Sequence, residues 1–175
     1  MYERFVPRYI AQLLVYWHST QKYVVKWGNA LSSGLKVSNG IRQGGLISPV
    51  LYNVYTDSLS DLLHRTKIGF HIGCECVNHI SYADDMVLLA PSAKALQTLL
   101  NVCSGYSGDY DIIFNPLKTV CMVFCPRSFS NTNVENFKLG DRPLKFDKEV
   151  VCLGHHICDV TILKMIPISI AICVS

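Results

Sequence analysis

The sequence has few charged residues, and this scarcity already excludes some classes of protein. Charged residues make up 17% of the 175 residues, the formal net charge is +3, and half of the residues are apolar. This composition excludes an intrinsically disordered chain and is typical of one globular domain with a real core. The weak positive charge permits nucleic-acid binding without requiring it, because strong binders carry a clustered basic face.

The sequence also lacks a membrane span and a secretion signal. The most apolar stretch, 162–174, is interrupted by Lys164 and Pro167 and is shorter than the about 20 residues that a spanning helix needs. The N-terminus lacks the charged-then-apolar layout of a signal peptide. We therefore expect an intracellular protein, in the nucleus or the cytoplasm, without membrane association. Its eight cysteines are then expected to be reduced.

The cysteine spacing gives weak support for structural zinc. Six possible ligands lie in pairs at short spacing: Cys74, Cys76, Cys121, Cys125, His155 and His156. However, Cys74 and Cys76 alternate in strand-like sequence, where they would share one face as ordinary thiols. We favour core or surface thiols over a zinc site.

Two adjacent carboxylates lie between two apolar runs, in the tetrapeptide Tyr82-Ala83-Asp84-Asp85. The strand-forming residues on both sides predict a tight β-hairpin. Neighbouring side chains of a straight strand point to opposite faces, so both aspartates can serve one site only if the chain reverses there. Carboxylates together with substrate phosphates are the ligands that Mg²⁺ prefers. On this tetrapeptide alone, a solvated Asp-Asp turn is the more ordinary interpretation.

The remaining pattern predicts helices and strands of an α+β fold. Helices are expected from Pro7 to Trp17, from Ser48 to Leu63, and from Pro91 onward, each with apolar residues at helical spacing. Strand-like segments are 23–27, 35–37, 72–77, 80–90, 120–124, 137–139 and 150–153. Two helices on one face of a mainly antiparallel sheet would form an α+β layer.

Four short motifs occur in an order that resembles a known family. They are Gly40-Ile41-Arg42-Gln43-Gly44, followed by Ser48-Pro49; Tyr82-Ala83-Asp84-Asp85; Asn115-Pro116-Leu117-Lys118-Thr119; and Leu153-Gly154. Together they resemble the polymerase core of reverse transcriptases of non-LTR (LINE-type) retrotransposons. The resemblance implies a palm-like antiparallel sheet with helices on one face, incomplete fingers and no thumb. It also implies a partial reverse transcriptase domain at 1–160 and a divergent C-terminal tail at 161–175.

The resemblance further implies an RNA-directed DNA polymerase that acts on an RNA or DNA template with a primer and on deoxynucleoside triphosphates. The family uses two Mg²⁺ ions, with Mn²⁺ as a possible substitute. The implied site residues are Asp84 and Asp85 as metal ligands, Lys118 as a further catalytic residue, Arg42, Gln43, Gly44 and Tyr82 at the nucleotide or template, and Leu153 and Gly154 in the primer grip.

Several of these residues also have an ordinary structural explanation. Tyr82 fits a core aromatic of a strand equally well. Gly44 and Gly45 would suit a plain turn before a helix. Lys118 near a strand start is more often solvated than catalytic, and Asn115 is expected to organise its turn. Four basic residues form either a positive stripe or a solvated hairpin edge: Lys22, Lys26, Lys36 and Arg42.

One part of the family pattern has no counterpart in this sequence. The family has another metal-binding aspartate on a strand before the segment that resembles Pro7 to Trp17, and no aspartate precedes Pro7 here. We therefore expect a truncated polymerase that is inactive on its own. The alternative is a non-catalytic nucleic-acid-binding or protein-interaction remnant of a retroelement.

Overall fold

The structure is a computed structural model, and it describes residues 6–36, 40, 44–124 and 136–158, together with the backbone of 168–174. The chain divides into two compact units, residues 1–55 and residues 56–175. Helices and strands both contribute to the fold, as the sequence predicts. Within the described residues, no helix is long and apolar enough to cross a membrane.

The first unit contains one helix and a small ribbon of strands. Helix α1 (Arg8–Thr20) begins directly after Pro7, whose missing N–H is harmless in a first turn. Strands β1 (Lys26–Trp27) and β2 (Ala30–Leu31) form a short antiparallel ribbon. The predicted helix is present, but its apolar residues are largely exposed; Leu13, for example, is 60% exposed.

The second unit contains the C-terminal part of α2 (Ser48–Arg65), a second long helix and eleven strands among the described residues. These elements are β3 (Phe70–Ile72), β4 (Glu75–Val77), β5 (His79–Tyr82), β6 (Asp85–Ala90), α3 (Ala93–Tyr110), β7 (Val120–Phe124), β8 (Lys138–Leu139), β9 (Arg142–Pro143), β10 (Lys145–Phe146), β11 (Glu149–Cys152), β12 (His155–Cys158) and β13 (Ile168–Val174).

Five of these strands form the main sheet, in the order β10-β7-β13-β6-β5. The pairs are antiparallel except for β10 with β7, which is parallel. The apolar tail of the sequence therefore supplies the central strand, β13. The segment 72–77, expected to be one strand, is instead divided between β3 and β4, because Gly73 adopts a left-handed φ of 64° that turns the chain.

The core lies between this sheet and the helices. Alternate residues of β6 (Met86, Leu88 and Ala90) are buried, as expected for a strand with one face covered. They cluster with the predicted inward stripe of α3 and with two leucines of α2: Leu96, Leu99, Leu100, Cys103, Leu59 and Leu63. Ser92 caps α3, its Oγ accepting a hydrogen bond of 3.2 Å from the Ala95 N–H. The sheet that carries the aspartates is thus held on one face by a close-packed core.

Candidate active site

The two aspartates lie at the tip of the β5–β6 hairpin. Tyr82 and Asp85 form the last pair of the ladder, and Ala83 and Asp84 form a two-residue turn between them. Ala83 has a left-handed φ of 52°, which is a costly conformation for a residue with a Cβ atom. The chain therefore reverses at the aspartate pair, which is the condition for both carboxylates to serve one site.

The residues of this tip differ in exposure. Asp84 is exposed, whereas Asp85, the first residue of β6, is half-buried. Tyr82 is 68% exposed, so the explanation of Tyr82 as a core aromatic is not supported. An exposed tyrosine beside two carboxylates has its ring and hydroxyl available to a ligand.

A polar pair, the buried Asn78 and the half-buried His79, anchors the base of this hairpin, and the sequence pattern did not point to it. The Asn78 side-chain amide donates to the Leu63 carbonyl at 2.7 Å, and its Oδ1 lies 2.8 Å from Nδ1 of His79. Leu63 lies in the last turn of α2, where carbonyls lack partners within the helix. The Leu89 N–H donates to the Asn78 carbonyl at 2.8 Å. Asn78 therefore ties β5 and β6 to the end of α2.

Burial also shifts the protonation of this anchor. The pKa of His79 is lowered, first by burial and second by the nearby His64, because both disfavour the charged imidazolium. A neutral His79 can donate from Nδ1 to the Asn78 oxygen, which fixes the tautomer that this hydrogen bond requires. The only sequence signal for this arrangement is an Asn-His pair between apolar strand residues.

A second two-residue hairpin turn lies near Asp85. In the β11–β12 hairpin, Cys152 pairs with His155, and Leu153 and Gly154 form the turn with φ values of 50° and 78°. Positive φ at both central residues is typical of a type I′ turn, which explains the glycine at the second position. The pKa of the buried Cys152 thiol is raised, first by burial and second by the Asp85 carboxylate. Cys152 is thus close enough to Asp85 to respond to its charge, and the Leu153-Gly154 turn follows Cys152 directly.

Lys118 lies in the turn that precedes β7. Asn115 organises this turn: its Oδ1 accepts from the Leu117 N–H at 3.0 Å, and its carbonyl accepts from Lys118 and Thr119. The side chain of Lys118 is exposed. Val120 and Asp85 lie near the same end of the sheet, separated by β13. Lys118 precedes Val120 in the chain and so lies at this end of the sheet.

The glycine-rich motif belongs to the first unit. Arg42 and Gln43 lie outside the described residues, so their predicted roles stay predictions. Gly44 is exposed and has a left-handed φ of 77°. A Cβ atom added to Gly44 would meet no heavy atom within 4 Å in the described part of the chain. The backbone conformation, rather than crowding, is therefore the reason for glycine at this position.

The cysteines considered for zinc do not form a metal site among the described residues. Cys74 is exposed, whereas Cys121 is buried in β7, and burial raises the pKa of its thiol to about 12. Cys125 lies outside the described residues. No group of three or more His, Cys, Asp or Glu side chains placed to hold a metal occurs in the part of the chain that the structure describes.

Comparison with known proteins identifies the family. The family model described as reverse transcriptase (RNA-dependent DNA polymerase) matches residues 2–157. The chain is similar to the retrovirus-related Pol polyprotein from the type-1 retrotransposable element R2 of Nasonia vitripennis, with 36% identity over 125 residues, or 69% of the chain. It is also similar to that from the type-2 element R2DM of Drosophila melanogaster, with 38% identity over 64 residues, or 37% of the chain.

The chain spans only a small part of these curated relatives, 12% of the Nasonia polyprotein and 6% of the Drosophila one. The family match, in contrast, covers most of the chain and contains all four motifs and both hairpin turns. The chain belongs to the reverse transcriptase (RNA-dependent DNA polymerase) family and is related to the Pol polyproteins of non-LTR retrotransposable elements of the R2 type.

Proposed function

We propose that this chain carries the metal-binding carboxylates of an RNA-directed DNA polymerase, which adds deoxynucleotides to a primer on an RNA or DNA template. The observation that supports this proposal most strongly is the reversal of the chain at Asp84 and Asp85, which puts two adjacent carboxylates at one exposed tip. The five-stranded sheet with helices against it would then be the palm. The proposed location is the nucleus or the cytoplasm.

The residues at the tip fit a hard divalent cation. Asp84 and Asp85 offer carboxylate oxygens, and the exposure of Asp84 leaves room for water and substrate phosphates, which Mg²⁺ retains as ligands. When bound there, Mg²⁺ or Mn²⁺ would stabilise the negative charge that develops on the oxygens during phosphoryl transfer. The protein would contribute position and charge rather than covalent chemistry.

The other site residues would act on the substrates. Tyr82, exposed beside the turn, would contact the primer end, and the Leu153-Gly154 turn would support the primer near Asp85. Lys118 would donate a proton to the pyrophosphate leaving group from the same end of the sheet. Contacts to the nucleotide or the template are proposed for Arg42, Gln43 and Gly44.

We further propose that the 175-residue chain on its own binds primer–template but does not extend the primer. One of the two strands paired with Asp85 is β13, and its sequence, Ile-Ser-Ile-Ala-Ile-Cys-Val, brings no acidic residue beside the aspartates. Two carboxylates would hold a cation loosely, and small errors of position cost orders of magnitude in rate. A nucleic-acid-binding scaffold without catalysis is the competing function.

The test separates metal binding from polymerisation. Mn²⁺ binding is titrated by paramagnetic resonance with the parent chain, with Asp84→Asn and with Asp85→Asn. Asp141→Asn, an exposed carboxylate in the β8–β9 turn, is the matched control. Each hairpin variant should weaken Mn²⁺ binding and the control should not; equal binding by all four proteins would refute the assignment of metal ligands.

Substrate binding is measured separately, by fluorescence anisotropy with primer–template at several salt concentrations. Binding should be weak, should fall steeply with salt because phosphate contacts release counterions, and should show little sequence preference. An affinity that does not change with salt concentration would contradict binding through phosphate contacts. Primer extension that disappears in Asp84→Asn would support the polymerase assignment while refuting the proposed inactivity.

A further inference from the structure

The central strand of the main sheet comes from a part of the chain that the family match does not include. The match ends at residue 157, whereas β13 comprises Ile168–Val174. Even so, β13 is the strand that joins the two halves of the sheet, because β6 and β7 each pair with it and not with each other. The sheet that carries the aspartates therefore depends on residues outside the matched domain.

The register of β13 is continuous on both of its edges. It pairs with β6 from Ser169 opposite Ala90 to Val174 opposite Asp85, so every residue of β6 has a partner in β13. On the other edge it pairs with β7 from Ile168 to Ile172. By comparison, β5 pairs with β6 only as far as Leu88. The β13 ladder is thus the longer of the two that hold β6.

The gap between β6 and β7 has the dimensions of one strand. Neighbouring strands lie about 4.8 Å apart, so two strands that share one neighbour are separated by roughly 10 Å. Buried residues of both strands, including Leu88 and Cys121, line up with Ala171 in one row across the sheet. An empty gap would expose these residues and leave the facing backbone groups of β6 and β7 without partners.

The sequence of 168–174 suits this gap. It contains no charged residue and alternates β-branched residues with smaller ones, a composition that favours a strand buried in a sheet. The buried residues of β6 pair with the small residues of β13: Ala90 with Ser169, Leu88 with Ala171, and Met86 with Cys173. Helix α3, which lies close to β6, also lies close to β13.

The register also connects β13 to the aspartate tip. Asp85 pairs with Tyr82 on one side and with Val174 on the other. The backbone of the half-buried aspartate is therefore fixed between two strands, and β13 provides one of them. Without β13, the strand that begins at Asp85 would be an edge strand held by the shorter β5 ladder alone.

We propose that residues 168–174 are a donor strand, and that the groove between β6 and β7 is a strand-accepting site that takes this segment and thereby positions Asp85. The groove would recognise this segment by β-strand addition. Main-chain hydrogen bonds would supply the affinity, and the alternation of large and small residues along the strand would set the register. This inference rests on the sheet geometry, and it holds or fails independently of the proposed polymerase function.

The first experiment tests in the full chain whether β13 holds β7 and β6, the strand that begins at Asp85. Ala171→Pro removes a backbone donor from the middle of β13 and is incompatible with a central strand, whereas Ala171→Ser keeps the N–H and serves as the control. Hydrogen exchange is measured by mass spectrometry in peptides that cover β6, β7 and α3. We expect the proline variant to exchange at least about tenfold faster in β6 and β7, with a smaller change in α3, since local openings differ in free energy.

The second experiment restores the strand from outside. A synthetic peptide of residues 166–175 is added to the Ala171→Pro protein, and the same peptide with proline at position 171 is the control. The parent peptide should restore protection in β6 and β7 saturably, and the control peptide should not. Unchanged exchange in the proline variant, or no recovery with the parent peptide, would overturn the proposal.

A third measurement covers the case in which Ala171→Pro unfolds the whole chain. In the full chain, Ala171→Cys puts a thiol opposite the native Cys121, at a separation that a disulfide can span. Ile170→Cys, opposite Met122, is the matched control. Prolonged oxidation at about pH 9, chosen because the buried thiol of Cys121 ionises with difficulty, followed by peptide mapping should give the 121–171 disulfide and no 121–170 disulfide. Absence of the 121–171 link, or equal yields from the two variants, would refute the register and with it the donor strand.

Discussion

Asn78 provides the sharpest test of how the hairpin is held. This residue is 1% exposed, and its side chain hydrogen-bonds the Leu63 carbonyl and His79. Asn78→Leu keeps much of the volume of the side chain but removes both hydrogen bonds. The Leu63 carbonyl would keep its hydrogen bonds from the N–H and the hydroxyl of Thr66, so no buried group is left without a partner. Each lost hydrogen bond costs about 1 kcal/mol net, and we therefore expect a loss of about 2 kcal/mol in the free energy of unfolding.

The comparison with Asn78→Ala separates hydrogen bonding from packing. If hydrogen bonds dominate, the leucine and alanine variants lose similar amounts, with about 1 kcal/mol more for alanine from the cavity. If packing dominates, leucine is tolerated and alanine is not. Denaturant unfolding at pH 7.5, where His79 is neutral, gives the free energies. Asn101→Ala, an exposed helical asparagine, is the control and should change stability by less than about 0.5 kcal/mol.

The same anchor predicts a dependence on pH. The folded-state pKa of His79 is lowered from its ordinary value of 6.5, so the unfolded chain binds the proton more readily. Stability should therefore fall as the pH drops below 6.5, and His79→Gln should reduce this dependence.

The hydrogen-bonding role of Asn78 would be refuted if Asn78→Leu lowered the free energy of unfolding by less than about 1 kcal/mol.

Further predictions concern backbone geometry and thiols. In Gly69→Ala, the new Cβ would lie 2.6 Å from a backbone carbonyl oxygen, so we expect a loss of about 1–3 kcal/mol in denaturant unfolding; a neutral result would contradict this packing. Ala83→Val should cost about 1–2 kcal/mol because a β-branched residue resists left-handed φ, whereas Ala83→Gly should be near neutral; equal stabilities would count against the turn. Burial raises the pKa of Cys103 and Cys121 to about 12. The exposed Cys74 should therefore react with iodoacetamide at pH 8 long before either of them. Above pH 9 the free energy of unfolding should fall, because the thiols of Cys103 and Cys121 ionise only in the unfolded chain.

Local elements were predictable where the sequence carried a strong local signal. The α3 stripe follows from helical spacing, and the reversal at Asp84 and Asp85 follows from two apolar runs around a charged pair. In α1 the same spacing predicted the helix, but its apolar residues are largely exposed, because periodicity shows which face is apolar but not whether another element covers it.

The arrangement of the site depended on contacts distant in sequence. The hydrogen bond from Asn78 to Leu63 and the proximity of Cys152 to Asp85 involve residues that no short pattern connects. Such pairs become visible only when the chain is folded, since periodicity describes one element at a time. Leu153 and Gly154 were identified by the family motif, whereas their type I′ geometry required the backbone.

The sequence by itself determined the family, the four ordered motifs and the identity of the paired carboxylates, because these depend on residue type and short spacing. Only the tertiary structure decided that the apolar tail forms the central strand and that Val174 lies opposite Asp85. Strand order is set by which edges remain open once all the other elements have paired and packed. A seven-residue apolar segment carries no information about its neighbours until those edges exist.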